Sequence, residues 1–115
     1  MGIYRSKTVG ISQLIDALTL LHKSVLTKPT IPTTCILLGD FNINLMHQET
    51  AEQRALRAFL ITNRGYTQLI NHYTTNYRTQ IDHIYTNIPQ HVQSAGTLES
   101  YYSDHKPIYI SLQAV

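Results

Sequence analysis

Leu37-Leu38-Gly39-Asp40-Phe41-Asn42 runs from an apolar segment straight into a small polar turn. Cys35 to Leu38 form an unbroken apolar run, and a run with no polar face predicts a strand buried on both sides. Gly39 is expected to break it. Two apart in an extended segment, Asp40 and Asn42 present their side chains together while Phe41 points to the other face. A carboxylate and a carboxamide then stand at the carboxyl end of a core strand, where ligands collect in α/β folds. On these residues alone, a turn closing the strand is the plainer account, because Asp and Asn both bond their own backbone.

Working outward, Met1 to Arg5 reads as the end of a short strand. Ile11, Leu14, Ile15, Leu18, Leu21 and Val25 recur at helical spacing, predicting a helix from Ser12 to Leu26 with Ser12 as N-cap and Asp16 near the first turn. Lys28-Pro29-Thr30-Ile31-Pro32 ends that helix and forces an extended connection. Beyond the central turn, Thr50 and Gln53 have capping-box spacing for a second helix, with Ala55, Leu56, Phe59 and Leu60 on its apolar face. Gly65 suits a left-handed stop. Tyr66 to Ile70, Gln80 to Tyr85, Val92 to Leu98 and Pro107 to Leu112 read as strands, with a polar loop from Asn71 to Thr79. Neither an internal repeat nor a low-complexity segment is present.

Composition limits what this chain can be. At 115 residues there is room for one domain with one core, and 43% apolar against 14% charged residues argues for a folded chain. The net charge is only +2, so no broad basic field holds a nucleic-acid backbone and any grip on phosphate is local. The single cysteine, Cys35, excludes a disulfide framework within the chain and a cysteine-based zinc site. No apolar run has the length of a membrane span, so an intracellular, membrane-free setting is expected.

Four polar clusters fall at strand ends or in adjoining loops: Tyr4-Arg5, Asp40 with Asn42, Asp82-His83, and Ser103-Asp104-His105. Singly, each has a structural explanation, except that Asp82 between Ile81 and Ile84 needs a partner. His83 is expected to face solvent or fill a core edge. Together they match the needs of phosphodiester hydrolysis: a base to activate water, an acid to orient that base, groups that hold phosphate, and a hard cation.

Leu38-Gly39-Asp40-Phe41-Asn42, then Ile81-Asp82-His83-Ile84, then Ser103-Asp104-His105-Lys106-Pro107, resemble the ordered motifs of the endonuclease/exonuclease/phosphatase superfamily. More narrowly, the Tyr-Arg start, Gly65-Tyr66-Thr67-Gln68-Leu69, the Thr-rich run before Ile81 and Tyr101-Tyr102-Ser103-Asp104-His105 look like the version carried by mobile elements, in LINE-type retrotransposons and Helitron-like polyproteins. The resemblance implies an α/β fold, the C-terminal half of a four-layer α/β/β/α sandwich with mostly antiparallel strands and two main helices. It implies His105 as general base or phosphate-holding group, Asp82 on its other ring nitrogen, and Asp40 orienting water or assisting the leaving oxygen. By the same resemblance, Asn42 donates to a phosphate oxygen, Tyr4 sits beside the phosphate, and Asp104 contributes to binding Mg²⁺ or Mn²⁺. Arg5, Tyr77 and Arg78 are further candidates for substrate contact. DNA is the expected partner, with a nuclear location for a mobile-element enzyme.

Members of this family carry an Asn and a metal-binding Glu on strands before the Tyr motif, and this sequence starts at that motif. The expectation is therefore a truncated domain of low activity, with an exposed sheet face or edge available for association. Two alternatives share the motifs: a non-catalytic binding remnant, and an enzyme acting on a phosphomonoester or lipid head group.

Overall fold

Strand β2 (Ile36–Asp40) is the spine of a four-stranded sheet in the computed structural model, which describes residues 2–6, 8–25, 34–46, 49–100 and 102–113. The strand β1 (Gly2–Tyr4) runs parallel to it on one side. On the other side lies β4 (Asp82–Thr86), antiparallel, with β3 (Thr67–Gln68) beyond. A separate antiparallel pair, β5 (Val92–Thr97) and β6 (Ile108–Leu112), forms a second sheet, and β6 packs against β4. The helices are α1 (Ile11–Val25) and α2 (Ala51–Arg57), the latter running on as a π-helical turn from Ala58 to Thr62. The mixed α/β class, the antiparallel bias and the two main helices are as the sequence implies.

Alternation along β2 and β4 explains the layering. Leu37 pairs with Tyr85 and both join one cluster with Leu14 and Leu18 of α1 and Leu56, Phe59 and Leu60 from the second helical segment. Leu38 pairs with Ile84, and by the two-residue period these point to the opposite face. Burying aromatic and branched side chains from both helical segments and from β2 and β4 in one cluster is the main source of stability here, at roughly 1.5–3 kcal/mol for each large side chain.

Several boundaries differ from the sequence reading for identifiable reasons. Gly39 does not break β2; it continues it with φ 142°, where an added Cβ would lie 1.9 Å from the Ile3 carbonyl oxygen. Asn42 is not extended but left-handed, with φ 53°, which Asn tolerates because its short polar side chain bonds locally. Helix α1 begins at Ile11, so Ser12 is inside the helix; the Gly10 amide instead donates to Gln13 Oε1 at 3.0 Å. Only Thr67–Gln68 of the expected Tyr66–Ile70 strand pairs. The Thr50/Gln53 capping box is present in both directions, and Gly65 is left-handed at φ 71°. The Lys28–Pro32 helix stop lies outside the described residues. Among the described residues, no helix is long and apolar enough to cross a membrane.

Candidate active site

Register places the acidic residues. Tyr4, Asp40 and Asp82 are Cα partners across β1, β2 and β4, so one row at the end of the sheet carries a phenol and two carboxylates. The row is held by backbone: Arg5 N–H donates to the Asp40 carbonyl at 2.8 Å, and Phe41 N–H to the Ile81 carbonyl at 2.9 Å. Directly opposed carboxylates repel, and such a pair persists where a cation or a hydrogen-bond donor offsets the charge.

The donor comes from a distant segment. His105 Nδ1–H donates to Asp82 Oδ2 at 2.9 Å, which satisfies the acidic residue that the sequence flagged as needing a partner. The carboxylate thereby fixes the tautomer and leaves Nε2 for whatever occupies the site. Ligand atoms of Asp40, Asp82 and His105 all lie within 4.8 Å of one another. Asp40 Oδ1 accepts the Asn42 amide at 2.8 Å, an Asx turn that positions both residues. Burial, reinforced by the Asp82 carboxylate, pushes the Asp40 carboxyl above its ordinary value; the Asn42 amide and His105 pull the other way.

A cavity of about 480 Å³ opens on this row. Tyr4, Arg5, Asp40, Asn42, Tyr77, Asp104 and His105 all line it, while Asp82 stands behind His105. Tyr4 and Tyr77 are largely exposed. Asp104, exposed on the rim, is not one of the three clustered groups, and Arg78 is not part of the cavity wall. Arg5 differs from its expected role in gripping substrate. Its side chain is buried, with Nη1 bonded to Glu52 Oε2 at 2.8 Å and to the Phe41 carbonyl, and Nε to the Val9 carbonyl at 2.9 Å. It ties β1 to the central turn and to α2.

Of the two places expected for His83, solvent and the core edge, the structure rules out the first: the side chain is fully buried. It stacks on Phe41 at 4.9 Å between ring centroids and 6° between planes. Nε2–H donates to the Ile43 carbonyl at 2.8 Å, and Nδ1 accepts from the Tyr85 hydroxyl at 2.9 Å. Adjacent in sequence, Asp82 and His83 serve opposite faces of the sheet.

Thr74 and Thr75 are functional positions that the sequence does not single out, since they fall in the polar Asn71 to Thr79 segment. Both are buried. Thr74 Oγ1 accepts the Asp82 amide at 3.1 Å and the Thr74 carbonyl accepts the Lys106 amide at 2.7 Å. Thr75 forms a β-bridge with His105, and Asn76 N–H donates to the Asp104 carbonyl at 2.9 Å. This short ladder carries His105 to Asp82. Lys106 completes it, with its ammonium 2.7 Å from Glu99 Oε1 and over the Tyr73 ring. The available signal was the adjacent pair of β-branched residues, which suits pairing better than an open loop.

Comparison with known proteins agrees with this architecture. A crystal structure of an endonuclease/exonuclease/phosphatase family protein from Bacteroides thetaiotaomicron superposes with a TM-score of 0.58 at 20% identity, over 89% of this chain. The chain spans only 44% of that protein's length. No curated protein matches the sequence. The model of the Endonuclease/Exonuclease/phosphatase family matches residues 7–105, a span that takes in the Asp40, Asp82 and His105 motifs, and the chain belongs to that family.

Proposed function

We propose that this chain carries part of a divalent-metal-dependent phosphodiesterase site, and that its substrate is DNA, cut internally as by the endonucleases of mobile elements. The observation that carries the reading is the 2.9 Å Asp82–His105 bond standing beside Asp40 at the mouth of the cavity. An imidazole held by a carboxylate through Nδ1 has Nε2 free to take a proton from water or to steady a phosphate oxygen. Asp82 then stabilises the imidazolium that forms. Asn42 and Tyr4 supply neutral donors to the phosphate, which lets them bind an anion without adding charge to the row. Asp40, which lines the cavity with His105, is suited to orient water or to assist the leaving oxygen.

The donor set suits a hard cation. Asp40 would hold it from the cluster with Asp82 and His105, and the carboxylate of Asp104, on the rim of the same cavity and outside that cluster, would be a further oxygen donor. Once bound, such a cation supplies charge neutralisation on the phosphate. The mobile-element type rests on the likeness of the Tyr-Arg start, the Gly65–Leu69 stretch, the Thr-rich run before Ile81 and the Tyr101-Tyr102-Ser103-Asp104-His105 motif.

A second reading is favoured by the 44% coverage of the solved relative: a chain that binds another chain or nucleic acid without turning over. Supercoiled plasmid incubated with the chain and Mg²⁺ separates the two. Nicking by the native chain, lost with EDTA and in His105→Ala, supports catalysis. Equal nicking by both proteins, or none by either, sinks the claim that this chain is itself an enzyme.

A further inference from the structure

We infer that Lys106 is a positioning residue for His105, with Glu99 and Tyr73 as the fixed points against which its ammonium works. The inference rests on the phosphodiesterase reading and adds what controls the imidazole of that same site. The His105 side chain is 42% exposed, and among the described residues it bonds to Asp82 alone. That bond fixes one ring nitrogen but not the segment that carries the ring. Lys106 supplies the second hold. Neighbours on an extended segment project to opposite sides, so Lys106 turns away from the cavity that His105 lines. It is neither part of the cavity wall nor one of the clustered ligand groups, and it acts through His105 rather than on substrate.

A buried ammonium is costly unless paired, and the Lys106 side chain is only 7% exposed. Its pairing comes from Glu99 Oε1 at 2.7 Å and from the face of Tyr73, whose ring centroid lies 4.8 Å from Nζ. The hydrogen bond from Lys106, and then its charge, hold the Glu99 carboxyl below its ordinary value, with a smaller pull from His72. Both partners belong to backbone that is itself bonded to the His105 segment. Tyr73 precedes Thr74, whose carbonyl accepts the Lys106 amide at 2.7 Å. Glu99 follows Leu98, whose amide donates to the Pro107 carbonyl at 2.9 Å. Thr75 bridges to His105, and Thr74 Oγ1 accepts the Asp82 amide at 3.1 Å. The segment with Tyr73 and Thr74 therefore holds both members of the Asp82–His105 pair. A shift of His105 away from Asp82 drags the ammonium off Glu99 and Tyr73, and removing the ammonium removes that restraint.

The test reads the His105 Nδ1–H proton by NMR in the whole chain, because a proton held on a carboxylate is shifted downfield and slowed in exchange with water; its loss in His105→Ala assigns it. Lys106→Met keeps the length of the side chain and removes the charge, and an apolar side chain of similar size in place of a paired buried charge is often neutral for stability. The signal is expected in the native chain and in Lys106→Arg, which keeps the charge, and is expected to be lost to exchange in Lys106→Met with little change in the urea midpoint. Glu99→Gln, at an exposed position, is expected to broaden it and carries the test if Lys106→Met does not fold. In plasmid nicking, kcat of Lys106→Met should fall by about 10²-fold, as for a small misplacement of a reacting group, with KM unchanged and with activity restored in Lys106→Arg. No signal in the native chain, a signal equally sharp in Lys106→Met and Glu99→Gln, or one lost alike in Lys106→Arg and Lys106→Met would overturn the inference. The proton signal needs no turnover, whereas nicking by native chain and His105→Ala reports the phosphodiesterase reading, so the two failures are told apart.

Discussion

The backbone of Gly39 lies so close to Ile3 that a β-carbon on Gly39 would sit 1.9 Å from the Ile3 carbonyl oxygen. The obstacle is backbone, and no rotamer change relieves it. At φ 142° the position is also in a region that side-chain-bearing residues rarely adopt. Gly39→Ala is therefore expected to expel β1 from the sheet or to lower stability by about 3 kcal/mol or more. Urea unfolding measures the loss, and a midpoint within experimental error of the native chain would refute the close approach. Because Tyr4 and Asp40 are register partners, any nicking activity should fall with it.

Asp82→Asn tests the role of the carboxylate without disturbing its surroundings. The bond from the Asp82 amide to Thr74 Oγ1 uses backbone and survives the change. What changes is the partner of His105 Nδ1, since an amide can present its NH₂ group and select the wrong tautomer. Nicking is expected to fall by about 10²- to 10⁴-fold while the unfolding midpoint moves by less than about 1 kcal/mol equivalent. Full activity in this variant would remove Asp82 from the mechanism.

What was legible in the sequence follows from how local the controlling interaction is. The Thr50/Gln53 capping box and the Gly65 stop were readable because each is settled within a few residues. The Asp82–His105 pair, 23 residues apart, came through the resemblance of ordered motifs and not from spacing. Three features were not legible, and each is set by a distant partner. Gly39 looks like a strand breaker until Ile3 is seen beside it. Arg5 looks like a phosphate contact until Glu52, far along the chain, takes its guanidinium. Thr74 and Thr75 look like loop until the His105 segment pairs with them.

Arg5 gives a sharp contrast between a structural and a substrate-binding residue. It is buried and bonded to two carbonyls as well as to Glu52, so Arg5→Ala leaves acceptors without a donor and is expected to cost about 3 kcal/mol. Glu52 is half exposed, and Glu52→Gln should cost about 1 kcal/mol or less. Unfolding of both variants, with anisotropy on an octadeoxythymidylate, decides the matter. Weakened DNA binding by a fully stable Arg5→Ala chain would restore the substrate role.

His83 ties the fold to pH. Burial between Phe41, Ile43 and Tyr85 lowers its pKa from 6.5 to about 4, against the upward pull of the Ile43 and Gln80 carbonyls and of Asp82. The depressed value means that the unfolded chain takes up a proton at higher pH than the folded one. The stabilisation is thus complete above pH 6.5 and is lost progressively as pH falls toward 4. Between pH 7 and pH 5 the loss from this group alone should be roughly 2 kcal/mol, from the 1.36 kcal/mol carried by each pH unit. Asp40, raised by burial, acts in the opposite sense, since protonation of the folded state first stabilises it on acidification. His83→Gln retains hydrogen-bonding capacity without titrating, so it should be less stable than the native chain at pH 7 yet show a flatter urea midpoint between pH 7 and 5. An equally steep fall in the variant would show that another group controls the acid sensitivity.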